Sequence, residues 1–199
     1  MYICVEGNIG AGKTTIAKAL AKHYKAQFLP ERFEENNLLP LFYKNKKKLA
    51  HLLEYSFLIE RYAQIHNCFK DKKKEKVIAD YSIYKCLWFA KATLTKKEYT
   101  FYKKQFAIVE KEIPKPDAII YLKTTHQNLL NNIKTRGRKY EGGIDKKYLG
   151  LLNKSYEKGL KKLGNIGVLE IEINAYKPET NQQVLNQIDK YLNKRRLFK

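Results

Sequence analysis

The sequence predicts an α/β protein, a three-layer sandwich with a central parallel sheet of about five strands flanked by helices. Three observations carry that expectation. Short apolar, β-branched runs recur along the chain, and each is followed by a segment with apolar residues at helical spacing. That alternation is the pattern of strands joined by crossover helices. The third is a Gly-rich turn between the first strand and the first helix, at a strand's carboxyl end, where such sheets gather ligands. At 199 residues, with 44% hydrophobic residues, the chain suits one domain with a sizeable core, read over 1–199. No repeat, low-complexity tract or interdomain linker interrupts it.

Taken in order, Tyr2–Val5 reads as the first buried strand, and Thr15–Lys22, rich in Ala, as the first helix. Ala26–Leu29 is a second strand that ends at Pro30-Glu31. Helices are expected over Asn37–Tyr43 and about Lys47–Asn67, before a charged turn at Lys70–Lys76. Val77–Ala79 is a third strand with Asp80 at its carboxyl end. Helices follow at Ile83–Lys91 and Lys97–Glu112, the second stopped by Pro114-Lys115-Pro116-Asp117. Ala118–Leu122 is a fourth strand, and Thr125 a cap for a helix over Asn128–Lys134. Arg136–Gly143 is rich in Gly and charge and reads as a loop. Lys146–Leu163 is helical, Val168–Ile173 the last strand and Thr180–Leu192 a closing helix.

The formal net charge of +20 invites a nucleic-acid reading. The excess is nearly all Lys, spread along the chain among many Asn, while Arg, the better reader of phosphates and bases, is scarce. Compositional drift accounts for that pattern better, so nucleic acid is not the expected partner. No apolar run approaches membrane-spanning length, and the chain opens on a strand, so neither membrane nor targeting segment is expected. Cys4, Cys68 and Cys86 are scattered without metal-ligand spacing and read as reduced thiols of a cytoplasmic protein.

The turn itself is Gly7-Asn8-Ile9-Gly10-Ala11-Gly12-Lys13-Thr14, with Thr15 behind it. It fits the phosphate-binding pattern G-x-x-x-x-G-K-[ST] in the required strand–turn–helix context. Glycines let the backbone aim successive N–H groups at phosphate oxygens, and the helix N-terminus adds its positive end. Lys13 would reach the β- and γ-phosphates of ATP, and Thr14 would ligate Mg²⁺. The expected fold is therefore of the P-loop NTPase type. Asp80 is a second candidate for Mg²⁺. Glu31 is a candidate general base. Arg136 and Arg138, two planar cations around Gly137, suit a lid over about 136–144 that clamps a transferring phosphate.

These residues resemble the deoxynucleoside kinase family over nearly the whole chain, closest to its bacterial deoxyguanosine kinase and deoxyadenosine/deoxycytidine kinase branch. Glu6–Thr15 is similar to its phosphate loop, and Pro30-Glu31 with Phe42-Tyr43 to its catalytic-base and sugar-binding motifs. Asp80-Tyr81-Ser82 stands at its acid-Arg-Ser triplet, and Arg136-Gly137-Arg138-Lys139-Tyr140-Glu141 at its lid. The resemblance implies that Glu31 deprotonates the nucleoside 5′-hydroxyl and that Tyr43 and Glu141 hold the sugar 3′-hydroxyl. It implies a homodimer as well. Two departures stand out. Tyr81 replaces an Arg, removing a cation, and Asn132 replaces an Arg that faces the phosphate donor, with Lys134 a partial substitute.

The family reads the base from its third helix with a Gln, and an Arg seven residues later. Here the spacing from Tyr43 leads to Glu54 and Arg61, two helical turns apart, with Leu58 between them. A Gln amide both donates and accepts, whereas a carboxylate only accepts. Guanine offers two adjacent donors, N1–H and the N2 amino group, so Glu54 points to deoxyguanosine. Arg61 would donate to O6 or brace Glu54, and Phe89 would stack on the base. A broader deoxyadenosine, deoxycytidine or thymidine kinase is the nearest alternative. A thymidylate-type monophosphate kinase is disfavoured because Glu31, Glu34 and Glu35, without an Arg at 81, would repel a phosphorylated acceptor. A nucleic-acid-binding P-loop ATPase is the non-metabolic alternative.

Overall fold

The computed structural model describes residues 1–70, 76–173, 180–195 and 197. Five strands, β1 (Tyr2–Gly7), β2 (Gln27–Leu29), β3 (Val77–Ala79), β4 (Ala118–Lys123) and β5 (Gly167–Glu172), form one sheet in the order β2-β3-β1-β4-β5. Every pairing is parallel, as helical crossovers between successive strands require. The strands are apolar on both faces because both faces are covered. Ile3, Val5, Ile78, Ile120 and Leu122 look into one layer, while Tyr2, Cys4, Ala79, Ile119 and Tyr121 look into the other.

The helices are α1 (Lys13–His23), α2 (Leu38–Lys44), α3 (Lys46–Lys70), α4 (Tyr84–Thr93), α5 (Lys96–Lys111), α6 (His126–Arg136), α7 (Lys146–Leu160) and α8 (Thr180–Lys194). Helices α1, α2, α6 and α8 build the first layer, and α4 and α5 the second. Helix α3 belongs to both, sending Ala50, Leu53 and Phe57 one way and Leu58, Ile65 and Cys68 the other. Among the described residues no disulfide joins the cysteines, all three of which are buried.

The expected elements recur, with α7 ending at Leu160 where helix was expected to Leu163, a 3-10 turn added at Phe33–Glu35, and two differences of more consequence. Helix α3 runs further at both ends than the expected Lys47–Asn67, and the interior of the expected Lys70–Lys76 turn lies outside the described residues. The loop expected over Arg136–Gly143 is instead ordered. Arg136 ends α6, Gly137 closes that helix in the left-handed conformation at φ 66°, and Lys139–Gly143 is a single 3-10 turn. A helix cap and one tight turn use the same Gly-rich composition as a loop, so composition does not separate them.

With all strands parallel, the ends of β1, β2 and β3 lie along one edge. That edge carries the Gly-rich turn, Glu31 and Asp80.

Candidate active site

The turn after β1 is shaped by its glycines. Gly10 has φ 85°, and a Cβ there would lie 2.7 Å from the Leu129 carbonyl oxygen. Gly12, at φ 82°, turns the chain into α1. Asn8 faces away from the cleft: its Nδ2 donates to Leu149 O at 2.9 Å and Asn153 Oδ1 at 2.5 Å, anchoring the turn to α7. Lys13 Nζ curls back to donate to Asn8 O at 3.0 Å. Burial first, then repulsion from Lys85, lowers its ammonium to about 8. Asn132 Nδ2 donates to Gly10 O at 2.8 Å, so this departure from the family pattern braces the turn. Lys134 is exposed and lines neither cleft described below.

Asp80 ties three strand ends together. Its Oδ2 accepts from Thr14 Oγ1 at 2.8 Å, and its Oδ1 from the Glu31 backbone N–H at 2.5 Å. Burial, and next the charge of Glu31, raise its carboxyl above the usual range. Excess negative charge beside a hydroxyl is a fit for a hard cation. Among the described residues no group of three or more His, Cys, Asp or Glu is set to hold a metal. An ion at Thr14 and Asp80 would therefore complete its shell with phosphate oxygens and water, the usual manner of Mg²⁺.

Glu31 is held between two cations. Oε1 accepts from Arg61 Nη2 and Oε2 from Lys85 Nζ, each at 2.5 Å, with all three side chains at most 7% exposed. Burial alone would raise the carboxyl, but Lys85 first and Arg61 next take it down to about 2. Lys85 is a site residue that sequence reasoning missed. It lies four residues beyond Tyr81, in the first turn of α4, so the cation absent at 81 is present from that helix. Of the three acids expected to repel a phosphorylated acceptor, Glu31 and Glu34 are not bare negative charges, while Glu35 lines neither cleft. Glu31 is neutralised by Arg61 and Lys85, and Glu34 pairs with Arg138 at 2.5 Å. Glu6, buried at the end of β1, accepts from Ser82 N and Oγ at 2.7 and 2.8 Å and from Tyr156 at 3.0 Å. It fixes the start of α4 from below.

Arg61 does not brace Glu54. Its guanidinium lies 4.4 Å over the Phe57 ring and donates to Glu31 and to Cys86 Sγ at 3.2 Å. Glu54 is 2% exposed, and its Oε1 accepts from Thr93 Oγ1 at 2.8 Å. Its Oε2 is buried with no hydrogen-bond partner among the described residues. Burial raises the carboxyl to about 7, against Thr93, Arg61 and Lys85, which pull it down. Leu58 is also corrected. It is 1% exposed in the core with Tyr2 and Cys4, and Phe57 and Leu53 line the cleft instead. At about 100° per residue, Leu58 stands roughly 40° to one side of Glu54 and Phe57 roughly 60° to the other. The cleft opens on the Phe57 side.

The lid residues are paired as well. Arg136 Nε and Nη2 grip the two oxygens of Glu141 at 2.7 and 2.5 Å, and Arg138 rests 4.6 Å over the Phe33 ring. Tyr140 stacks on Tyr43 with ring centroids 6.3 Å apart.

Two clefts meet here. One, of about 590 Å³, is lined by Tyr43, Leu53, Glu54, Phe57, Phe89 and Tyr148 among others, an apolar and aromatic wall faced by charged side chains that suits a small polar ligand with an aromatic part. The other, of about 880 Å³, is lined by Gly10, Gly12, Thr14, Thr15 and Asn132. Lys13, Glu31, Phe33, Arg136 and Arg138 line both. An acceptor in the first cleft and a phosphate donor in the second would thus face each other across cations and one carboxylate.

Known proteins share this architecture. The deoxyguanosine kinase of Bacillus subtilis is 37% identical over 190 residues, covering 94% of this chain and 91% of that protein. The deoxyadenosine/deoxycytidine kinase of the same organism is 28% identical over 180 residues, covering 87% and 83%. The solved structure of a deoxyadenosine kinase from M. mycoides with bound dATP superposes with a TM-score of 0.83 at 26% identity, over 97% of this chain and 100% of that one. The family model for deoxynucleoside kinases matches residues 3–193. With the phosphate-binding turn, the paired clefts and that match on one chain, this protein belongs to the deoxynucleoside kinase family.

Proposed function

We infer that this kinase transfers the γ-phosphoryl group of ATP to the 5′-hydroxyl of a deoxynucleoside, with deoxyguanosine as its foremost acceptor. The observation that carries the reading is the junction of the two clefts at Lys13, Glu31, Arg136 and Arg138. Phosphoryl transfer needs little covalent help from protein and depends on positioning and charge. Lys13 would follow the transferring phosphate, with Gly7–Thr15 cradling the phosphates of ATP. Arg136 and Arg138 would exchange their carboxylate partners for phosphate oxygens as a lid over about 136–144. Mg²⁺ held at Thr14 and Asp80 would neutralise phosphate charge.

Glu31, at about 2, is a weak base for a free alcohol. It serves because the hydroxyl becomes strongly acidic once its oxygen bonds to phosphorus, so the proton moves late. Until then Glu31 orients the hydroxyl. Tyr43 and Glu141, both lining the acceptor cleft, would hold the sugar 3′-hydroxyl, with Phe89 against the base.

Deoxyguanosine is supported by Glu54, whose Oε2 is a buried acceptor at the acceptor cleft with no donor among the described residues. Guanine N1–H and N2–H₂ supply donors, while adenine would set the N1 lone pair against it. The Bacillus subtilis relative named deoxyguanosine kinase supports the same choice. We read the whole chain as one kinase domain acting in the cytoplasm. Among the described residues no helix is long and apolar enough to cross a membrane. A homodimer is supported by exposed apolar pairs at i, i+7 spacing, Leu52 and Ile59 on α3 and Phe101 and Ile108 on α5.

The test is an ATP-dependent phosphorylation panel of the four deoxynucleosides and their monophosphates. Deoxyguanosine should give the highest kcat/KM. Preference for thymidine or deoxycytidine would end the Glu54 argument, and efficient monophosphate turnover would make the enzyme a monophosphate kinase.

A further inference from the structure

Glu54 is a carboxyl that burial keeps protonated well above the ordinary range, yet guanine recognition needs the oxygen facing the base to accept. A protonated carboxyl with its O–H toward the cleft would donate to adenine N1 or cytosine N3 and reverse the preference. Thr93 stands where it settles which way the proton faces. It ends α4, and its hydroxyl lies 2.8 Å from Glu54 Oε1 and 3.0 Å from the Phe89 carbonyl oxygen.

We propose that Thr93 is a specificity-determining positioning residue, which favours Glu54 Oε2 as a hydrogen-bond acceptor in both protonation states of the carboxyl and so disfavours deoxyadenosine and deoxycytidine. When Glu54 is ionised, the Thr93 hydroxyl donates to Oε1. When Glu54 takes up a proton, the proton has an acceptor on Oε1, where it is donated to Thr93 Oγ1 while the Thr93 hydrogen turns to the Phe89 carbonyl; on Oε2 it would have none among the described residues until a base arrived. A hydroxyl donates once and accepts twice, so it can serve both states without moving. In either state Oε2, which has no other partner among the described residues, presents only lone pairs to the base.

The surroundings do not do this in its place. Arg61 on α3 and Lys85 on α4, the two cations that act on Glu54, are both bonded to Glu31. From α5, Tyr102 donates to the Glu54 backbone carbonyl at 3.2 Å and not to its carboxyl. Tyr43 on α2 and Tyr148 on α7 are phenols that burial holds neutral, and the Cys86 thiol of α4 is likewise pushed up by burial.

The proposal rests on the reading of Glu54 as the base-contacting residue, and the experiment separates the two. For the wild type, Thr93→Val, Thr93→Ser and Glu54→Gln, kcat/KM is measured for deoxyguanosine, deoxyadenosine and deoxycytidine from about pH 6 to about pH 8.5, a range that spans the carboxyl. The readout is the deoxyguanosine-to-deoxyadenosine ratio on one preparation, which does not depend on the fraction that is folded. The wild-type ratio should be flat with pH. In Thr93→Val the ratio should fall about tenfold or more at the acid end, by gain on deoxyadenosine, and recover as the carboxyl ionises. Thr93→Ser should match the wild type. A Thr93→Val ratio equal to the wild type, or lowered equally at every pH as a packing defect would lower it, overturns the proposal. If Thr93→Val cannot be obtained folded, Thr93→Ala answers the same question. A null result at Thr93 with an altered ranking in Glu54→Gln leaves the base reading standing; an unaltered ranking in Glu54→Gln removes both.

Discussion

Replacing Glu54 by Gln keeps the shape of the side chain and removes its charge from a site that is 2% exposed. In the folded chain, burial raises this carboxyl from 4.5 to about 7. Below about pH 4.5 both the folded and the unfolded chain hold the proton. Between that pH and about 7 the unfolded chain has released it and the folded chain has not. Stability therefore falls as pH rises through this window and levels off above it. At 1.36 kcal/mol per pH unit, the cost of the ionised carboxylate at pH 8 is roughly 3 kcal/mol. Glu54→Gln removes that cost, part of which is already present at pH 5, so its stability relative to the wild type should improve by roughly 2.5 kcal/mol between pH 5 and pH 8. For a chain of 199 residues this is a relative rise in Tm of roughly 5 to 10 °C. Any packing or hydrogen-bond difference of the amide is independent of pH and cancels in the comparison. The assay is thermal unfolding of both proteins across pH 5 to 8 without ligand. A stability difference that is flat across this window would refute the reasoning, because Glu54 would then not be a strained, proton-holding carboxyl. Gain in stability should accompany loss of deoxyguanosine kcat/KM, since the buried, unpartnered oxygen that destabilises the fold is the one offered to the base.

The remaining predictions concern the transfer itself. Glu31→Gln should lower kcat by about two to four orders of magnitude while nucleoside KM changes little, measured by steady-state kinetics at saturating ATP. Lys85→Met should release Glu31 from its stronger cationic partner, so its carboxyl rises and the acid limb of the kcat profile moves to higher pH, as a pH–rate series would show. Arg136→Lys and Arg138→Lys keep the charge but lose the planar fork. Each should reduce kcat more than deoxynucleoside affinity, and poor nucleoside binding with normal turnover would move these residues to the acceptor side.

What the sequence determined by itself is the part governed by local physics. Period and propensity mark Tyr2–Val5, the greater part of β1, and Val77–Ala79 as strands, and the Gly-x-x-x-x-Gly-Lys-Thr spacing requires a turn between strand and helix because Gly10 and Gly12 adopt positive φ. Glu31 and Asp80 are legible for the same reason, each following an apolar run that a parallel sheet ends along one edge. Glu54 is legible as a departure, a carboxylate at a place where an amide was expected.

Tertiary structure alone decided which charges meet. Arg61 and Glu31 are thirty residues apart and Lys85 and Glu31 fifty-four, and no pattern along the chain connects them. From sequence, Arg61 belonged with Glu54, seven residues away on its own helix; in the fold it turns to the more exposed-sounding but buried Glu31, because a carboxylate with two cations loses less on burial than one left with none. Leu58 illustrates the same limit. Helical spacing puts it near Glu54, but which side of a helix faces the cleft and which the core is set by the layers on either side of α3. Thr93 carried no signal at all: a lone Thr at the end of a helix acquires meaning only when packing brings it within a hydrogen bond of a buried carboxyl.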